Sequence, residues 1–500
     1  MPGLLDRLRR HAALTPNRPA LGDGRVVLDY AALLNEVERL SDLFPARRVG
    51  LLLRNGAHWA CMDLALLHSG AVCVPMPGFF SDDQLRHLIR DAGLDLVVTD
   101  QPERLAALLP GSAGTAMAAA GISITRFATG LSAEPGAKLP AATVKLTYTS
   151  GTTGQPKGVC LSAETIETTT RVLSEAVQAG PDDRSLSLLP LSTLLENIAG
   201  LYAPLWVGAL AQVPDLAECG MEGSSGLQPG RLFAALSGFR PTTLVLVPQL
   251  LKAVTECVAA GMPLPPLLRF IAVGGAPVPA SLLERARSLG LPVYQGYGLS
   301  EAGSVVSLNQ PGAERTGSVG RVLPHHAVSI AADGEIVVSG NLFSGYLGAD
   351  QSATVAHRTG DLGWLDAHGY LYLRGRKKTA YATAYGRKVA PEWVEGELCG
   401  DPRIVQAAVF GDGRPFNVAV LVPRQPSPDP AADLEAALES VNARLPDYAR
   451  IRHWIVADGP FTAGNGLANG AGCIRREAIQ RHYHDLIEVL FANEEMHAFL

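Results

Sequence analysis

Short apolar runs alternate with helix-length segments along most of this chain, and no other feature narrows its fold as much. Gly50 to Leu53, Val72 to Val74 and Leu96 to Val98 are strand-like, and Ala57 to His68 and Asp82 to Ala92 between them are helix-like. That rhythm predicts parallel βαβ units. It recurs at Thr243 to Val247 and Phe270 to Val273, so the first three-quarters of the chain reads as a large doubly wound α/β region. Upstream, Tyr30 opens a segment whose Leu33, Leu34, Val37, Leu40 and Leu43 recur at helical spacing, which predicts a helix resting on a core by one face. After about Gly317, turn residues separate short β-like runs such as Glu335 to Ser339 and Gly369 to Leu373. Beyond Lys378, Ile404 to Phe410 and Asn417 to Val422 read as strands and Leu434 to Leu445 as a helix, predicting a small α+β domain with the Pro-rich stretch Pro423 to Pro430 as a loop. There is no internal repeat and no coiled-coil heptad.

A chain of 500 residues, 47% hydrophobic and 18% charged, has more apolar material than one core uses, so at least two domains are expected. The net charge of -6, with both signs dispersed, offers no surface for a polyanion and argues against nucleic acid as a partner. Seven scattered cysteines, at 61, 73, 160, 219, 257, 399 and 473, match neither a disulfide framework nor a zinc site, and they read as thiols of a cytosolic protein. Met1 to Arg10 puts its positive charges after a very short apolar stretch and no apolar run approaches the roughly 20 residues that span a bilayer, so neither export nor membrane insertion is expected.

The strand-like Leu146 to Tyr148 runs into Thr149-Ser150-Gly151-Thr152-Thr153-Gly154-Gln155-Pro156-Lys157-Gly158. Glycines let backbone N–H groups converge on phosphate oxygens, the four hydroxyls add neutral donors, and Lys157 adds a charge able to follow departing phosphates. The segment predicts a phosphate cradle. No glycine directly precedes Lys157, so it is not the GxxxxGK[ST] loop of kinases and GTPases. A flexible Ser/Thr/Gly surface loop would have a similar composition, but such linkers seldom follow an apolar strand. Gly298-Leu299-Ser300-Glu301-Ala302 misses a nucleophile elbow by its last residue.

Four further segments follow in order: Gly274-Gly275-Ala276-Pro277, Gln295-Gly296-Tyr297-Gly298-Leu299-Ser300-Glu301, Thr359-Gly360-Asp361-Leu362-Gly363 and Arg374-Gly375-Arg376-Lys377-Lys378. With the phosphate loop they make the chain resemble, over nearly its whole length, the adenylate-forming superfamily of acyl-CoA synthetases, nonribosomal peptide adenylation domains and firefly luciferase. The run through Lys378 looks most like the long-chain acyl-CoA synthetase branch. The resemblance implies a large AMP-binding domain, residues 1–376, and a small mobile domain, residues 379–500, swinging about a hinge near 377–378. It implies ATP and Mg²⁺ as cofactors, a carboxylic acid as substrate, and CoA or a carrier-protein thiol as acceptor. Lys157 and Thr152 would act on the phosphates with Thr149, Ser150, Gly151, Thr153 and Gly154 around them. Glu301, with Thr149, would hold Mg²⁺. Gly275, Ala276, Gly296, Gly298 and Ser300 would line the nucleotide, Tyr297 would stack on adenine, Asp361 would accept from both ribose hydroxyls, and Arg376 would sit near the ribose and α-phosphate. Taken alone, Glu301 would be a solvated loop carboxylate and Asp361 a turn residue. Tyr385 to Glu392 resembles the loop that enters the site for thioester formation.

Two departures stand out. Phe461 to Leu467 is similar to the branch's last motif, in which a lysine should follow, but Cys473-Ile474-Arg475-Arg476 puts Cys473 at that place. A neutral thiol cannot replace an ammonium as charge builds on the α-phosphate. Arg475 or Arg476 serving after a shift, slow or unusual adenylation, and a binding-only paralogue are the open consequences. A nucleophilic Cys473 activated by the two arginines is a further reading. In Pro190-Leu191-Ser192-Thr193-Leu194-Leu195-Glu196, relatives carry histidine or an aromatic at the position of Thr193, while Glu196 keeps the pattern. The apolar stretch Leu186 to Leu210 is either a pocket wall or a buried core helix.

Overall fold

The computed structural model describes residues 3–44, 48–130, 138–149, 156–222, 226–349, 355–385, 387–424, 429–469 and 472–495. Two large mixed sheets organise the first part of the chain. In the eight-stranded sheet, Arg48–Leu52 lies parallel to both Val72–Pro75 and Leu96–Thr99, and Val72–Pro75 pairs in parallel with Thr143–Thr149. Every residue of Leu96–Thr99 is buried, as an interior strand covered on both faces requires; it runs parallel to Arg48–Leu52 and antiparallel to Ile122–Ala128. The nine-stranded sheet holds Arg184–Leu186, Leu210–Gln212, Thr243–Leu246, Phe270–Val273 and Val293–Tyr297 in parallel.

Helix boundaries follow local chemistry. Asp82–Asp91 begins at Ser81, whose hydroxyl accepts from Gln84 N while the Gln84 side chain accepts from Ser81 N; Asp82 and Asp83 lie in the first turn and Arg90 in the last, each on its favourable end of the helix dipole. Tyr30–Ser41 is the expected amphipathic helix, with Leu33, Val37 and Leu40 buried; Leu43 falls beyond its end and is exposed.

Leu186 to Leu210 resolves in favour of the core. A helical stretch with a π-helical segment at Asn197–Tyr202 places Leu191, Leu194, Ile198, Leu201, Leu205 and Trp206 in the main apolar cluster. One polar knot sits inside it. Lys145 Nζ donates to Asp63 Oδ1 (2.7 Å) and to Tyr202 Oη (2.8 Å), Asn197 Nδ2 donates to Asp63 Oδ2 (3.1 Å), and Tyr202 Oη also donates to Asp63. Every member is buried.

The β-rich part is a four-stranded antiparallel sheet of His326–Ile330, Glu335–Gly340, Ala356–Leu365 and Leu371–Arg376. Its last strand starts later than expected because Gly369, at φ +79°, belongs to the turn. Further on, Ile404–Phe410, Asn417–Pro423 and Ile451–Val456 form a three-stranded sheet. Pro391–Gly400 and Pro430–Asn442 cover one face of it; Arg476–His482 and His484–Glu495 cover the other. The helix expected from Leu434 begins at Pro430 instead, with Asp429 accepting from Ala432 N (3.1 Å).

Candidate active site

Thr149 and Lys157 face each other across antiparallel strands, Thr143–Thr149 and Lys157–Ser162. The phosphate segment therefore links two antiparallel strands, unlike a P-loop, which leads from a strand into a helix. Ser150, Gly151, Thr152, Thr153 and Gly154 lie outside the described residues, whereas Thr149 and Lys157 are the paired strand residues on either side of them. Lys157 is exposed.

A second edge strand, Gly345–Tyr346, pairs with Lys157–Ser162, Tyr346 opposite Val159. Lys157 is two residues from Val159, so both it and Tyr346 project from one face of the sheet. The ammonium of Lys157 lies 5.8 Å from the centroid of the Tyr346 ring. The Tyr346 hydroxyl donates to Glu301 Oε1 at 2.8 Å, and burial together with this bond raises the phenol pKa. Nothing in the sequence singles out Tyr346, because its role depends on strand pairing between segments nearly two hundred residues apart.

Glu301 sits in the 3₁₀ turn Ser300–Ala302, just after the strand Val293–Tyr297. The turn needs glycine before it, since a Cβ on Gly298 would lie 1.6 Å from the Ser304 carbonyl oxygen. Gly296 is less crowded but still close, with the Ser307 carbonyl 3.1 Å from a Cβ built there. Gly275, at φ +79°, and Ala276 form an exposed turn beyond the strand Phe270–Val273. Among the described residues no group of three or more His, Cys, Asp or Glu is placed to hold a metal. Among the described residues Glu301 Oε2 has no hydrogen-bond partner, and one such carboxylate oxygen beside the strand that begins at Lys157 would fit Mg²⁺, which is commonly held by one or two carboxylates and a substrate's phosphates.

Tyr297, Asp361 and Arg376 meet as a second cluster. Strand register sets Asp361 opposite Arg376, with Arg376 Nε 2.9 Å from Asp361 Oδ1. Tyr297 Oη donates to Asp361 Oδ2 at 2.6 Å. Burial raises the Asp361 carboxyl above the usual carboxylate range; Arg376 opposes the shift, and the fields of Glu301 and Glu392 add to it. The Tyr297 ring is buried in the apolar cluster, so little of it is open for adenine to stack on. Ribose hydroxyls reaching Asp361 would have to compete with Tyr297 and Arg376.

Cys473 stands apart from both clusters. It is exposed, its backbone N–H donates to Asn469 Oδ1 at 3.0 Å, and desolvation of the sulfur raises the thiol pKa. The arginines do not activate it. Arg476 donates to both oxygens of Glu395 at 2.6 Å and to Glu392 Oε1 at 3.3 Å, which removes it from the candidates to replace the lysine. Arg475 Nη1 reaches the Gly466 carbonyl at 3.4 Å. Thr193 is a loop hydroxyl, donating to the Pro190 carbonyl at 2.7 Å. All seven cysteines are free thiols, and Cys473 is the exposed one.

A cavity of about 790 Å³ opens in the C-terminal part, where Tyr385, Arg387, Phe416, Tyr448, Arg450 and Arg452 line it. No helix among the described residues is long and apolar enough to cross a membrane.

Comparison with known proteins places these features in a family. Residues 8–347 match the model of the AMP-binding enzyme family, and residues 380–495 that of the AMP-binding enzyme C-terminal domain. The chain is 28% identical over 554 aligned residues to a long-chain-fatty-acid–CoA ligase, FadD15, of Mycobacterium bovis, covering 89% of this chain and 88% of the relative. Among solved structures it is similar to the anthranilate CoA ligase AuaEII in complex with anthranoyl-AMP (TM-score 0.78, 18% identity, 96% of this chain and 97% of the other). It is also similar to the o-succinylbenzoate CoA synthetase of Bacillus subtilis in complex with ATP and magnesium ion (TM-score 0.73, 24% identity, 94% and 98%). At these identities the structural likeness speaks for the fold.

Proposed function

The chain belongs to the AMP-binding enzyme family, and from that premise we propose that it is an acid–thiol ligase that joins a carboxylic acid to AMP at the expense of ATP and then passes the acyl group to CoA. The observation that carries this reading is a pair of side-chain groups, Lys157–Tyr346–Glu301 and Tyr297–Asp361–Arg376, to which the one segment Tyr297–Glu301 contributes a member each and in which the charge of Glu301 is felt at Asp361. One offers a cation and a carboxylate for metal-bound phosphates; the other offers a carboxylate and a cation for a ribose and its phosphate. Attack of the acid's oxygen on the α-phosphorus forms the mixed anhydride as the bond to pyrophosphate breaks. Lys157 would follow the departing phosphates and Arg376 would stay with the α-phosphate. Mg²⁺ bound at Glu301 would neutralise phosphate charge.

Thioester formation then needs a thiol at the acyl carbonyl, with AMP leaving. Three arginines and three aromatic rings around the 790 Å³ cavity suit a phosphorylated thiol such as CoA. We place the pivot between a large unit, residues 1–376, and a small one, residues 379–500, at 377–378. Lys377 supports this by holding Asp333 (2.7 Å) and Glu335 (2.9 Å) on the large side. The acid is apolar, a fatty or aryl acid, and a reducing cytoplasmic setting agrees with seven unpaired thiols.

The neutral, exposed Cys473 favours a second reading: a nucleotide-binding paralogue impaired in the first step, or an enzyme with another acceptor. Pyrophosphate exchange over a panel of fatty, aryl and small acids separates them. Exchange by the wild type with an apolar acid supports the ligase. Binding of ATP without exchange, in the wild type and in Cys473→Lys alike, would overturn it.

A further inference from the structure

The strap Phe343–Leu347 ties two parts of the phosphate site together, and one side chain on it faces both. Its backbone N–H groups are divided between two partners: Phe343 N donates to Glu301 O (2.8 Å), whereas Ser344 N donates to Cys160 O (2.8 Å) and Leu347 N to Gly158 O (2.9 Å). One end of the strap is thus fixed to the Glu301 turn and the other to the strand that begins with Lys157. Between them Tyr346 points its hydroxyl at Glu301 Oε1 (2.8 Å) and its ring face at the Lys157 ammonium (5.8 Å). The ring itself is held edge-on by Phe343, centroids 4.9 Å apart at 72°.

A lysine and a glutamate brought to one site would ordinarily collapse into an ion pair, closing it to phosphate and metal. Among the described residues neither Lys157 nor Glu301 forms one; their side chains meet the ring and the hydroxyl of Tyr346 instead. We propose that Tyr346 is the positioning residue of the phosphate and metal site, holding the carboxylate of Glu301 by one oxygen and the ammonium of Lys157 on its ring so that each keeps a free side for MgATP. The hydroxyl fixes the carboxylate rotamer and leaves Oε2 for the cation, as partners behind metal ligands do. The ring face stabilises the ammonium without neutralising it. This rests on the reading of Glu301 and Lys157 given above.

The test uses the full-length protein and calorimetric titration with ATP, with and without Mg²⁺, which does not require turnover. Tyr346→Phe keeps the ring and removes the donor. It should raise the Mg²⁺ concentration for half-maximal tightening of ATP roughly tenfold and leave metal-free ATP affinity unchanged. Tyr346→Leu should also weaken metal-free ATP several-fold, because Lys157 loses its support. In pyrophosphate exchange, KM for MgATP should rise more than kcat falls. Unchanged Mg²⁺ dependence in Tyr346→Phe, with wild type binding MgATP, overturns this inference and leaves the ligase reading standing. A wild type that binds MgATP but exchanges with no acid defeats the ligase reading alone, and the titrations still decide on Tyr346. A wild type that binds no ATP overturns both. Should Tyr346→Leu unfold, the near-isosteric Phe variant decides by itself.

Discussion

Glu196 is a carboxyl with almost no solvent and no well-aligned hydrogen-bond partner among the described residues. Both it and Ser187 Oγ crowd over Gly200, where a Cβ would come within 2.2 Å of Glu196 Oε1. Burial pushes its pKa up to about 8 from 4.5, the Ser187 hydroxyl offsetting a part. The folded state therefore keeps a proton that the unfolded chain loses near 4.5, so this residue's contribution is most favourable at low pH and is lost as pH rises through the folded value. Glu196→Gln, which does not titrate, should match the wild type near pH 5 and become the more stable protein toward pH 8. The gap should widen by at most about 1.4 kcal/mol per pH unit, read from denaturation midpoints at several pH values. A gap that stays constant with pH would mean that Glu196 is ionised inside the fold. Cys473 poses the opposite problem, a neutral group where charge is wanted. If the small unit brings residue 473 to the α-phosphate, Cys473→Lys should raise pyrophosphate exchange by about two orders of magnitude, the scale of one preorganised transition-state donor. No gain would mean that another cation does the work.

Elements are joined by charge as well as by apolar packing. Lys145 on the strand leading to the phosphate segment, Asp63 on the helix Ala57–Ser69, and Asn197 and Tyr202 on the π-helical segment share one buried hydrogen-bonded knot. Cys73 adds its thiol to Asp63 Oδ1 at 3.2 Å. Removing one charge from a buried pair costs more than the pair contributes, because the other is left unpaired in a medium that solvates it poorly. Asp63→Asn should cost about 3–5 kcal/mol in a urea titration, and pairing it with Lys145→Met should recover part of the loss. Equal losses in the single and double variants would mean that shape, not charge, holds these elements together.

At the scale of the molecule the question is how the small C-terminal unit is parked. Lys252, on the helix Pro248–Ala259, donates to the carbonyls of Cys399 (2.7 Å), Ile404 (3.1 Å) and Asp401 (3.3 Å), at and just beyond the end of the helix Pro391–Gly400. An ammonium there satisfies carbonyls that the helix leaves unpaired and suits the negative end of its dipole. Arg424 reaches back to Glu256 at 3.0 Å, and Gly400 lets the helix lie close to Pro279, 3.0 Å from a Cβ built on it. If this contact holds one pose of a swinging unit, Lys252→Met should free it. Trypsin should then cut the 377–387 stretch about tenfold faster, from the roughly 1.5–3 kcal/mol of charged hydrogen bonds removed. An unchanged cleavage rate would place the restraint elsewhere.

The sequence by itself determined the alternation of strand and helix, the change of character near residue 317 and the small α+β end, because burial on both faces of parallel strands leaves continuous apolar runs that can be read directly. It also led to the candidate ATP residues, since each motif concentrates glycine, hydroxyl and charge within a few positions. Element ends were less legible where Gly369 and Pro430 shift them by a few residues. Tertiary structure alone decided that the strands on either side of the phosphate segment pair antiparallel, that Arg476 is occupied by Glu395, and that Tyr346 stands between Lys157 and Glu301. Those facts depend on strand register and on contacts between residues far apart in the chain, and local composition carries no trace of either.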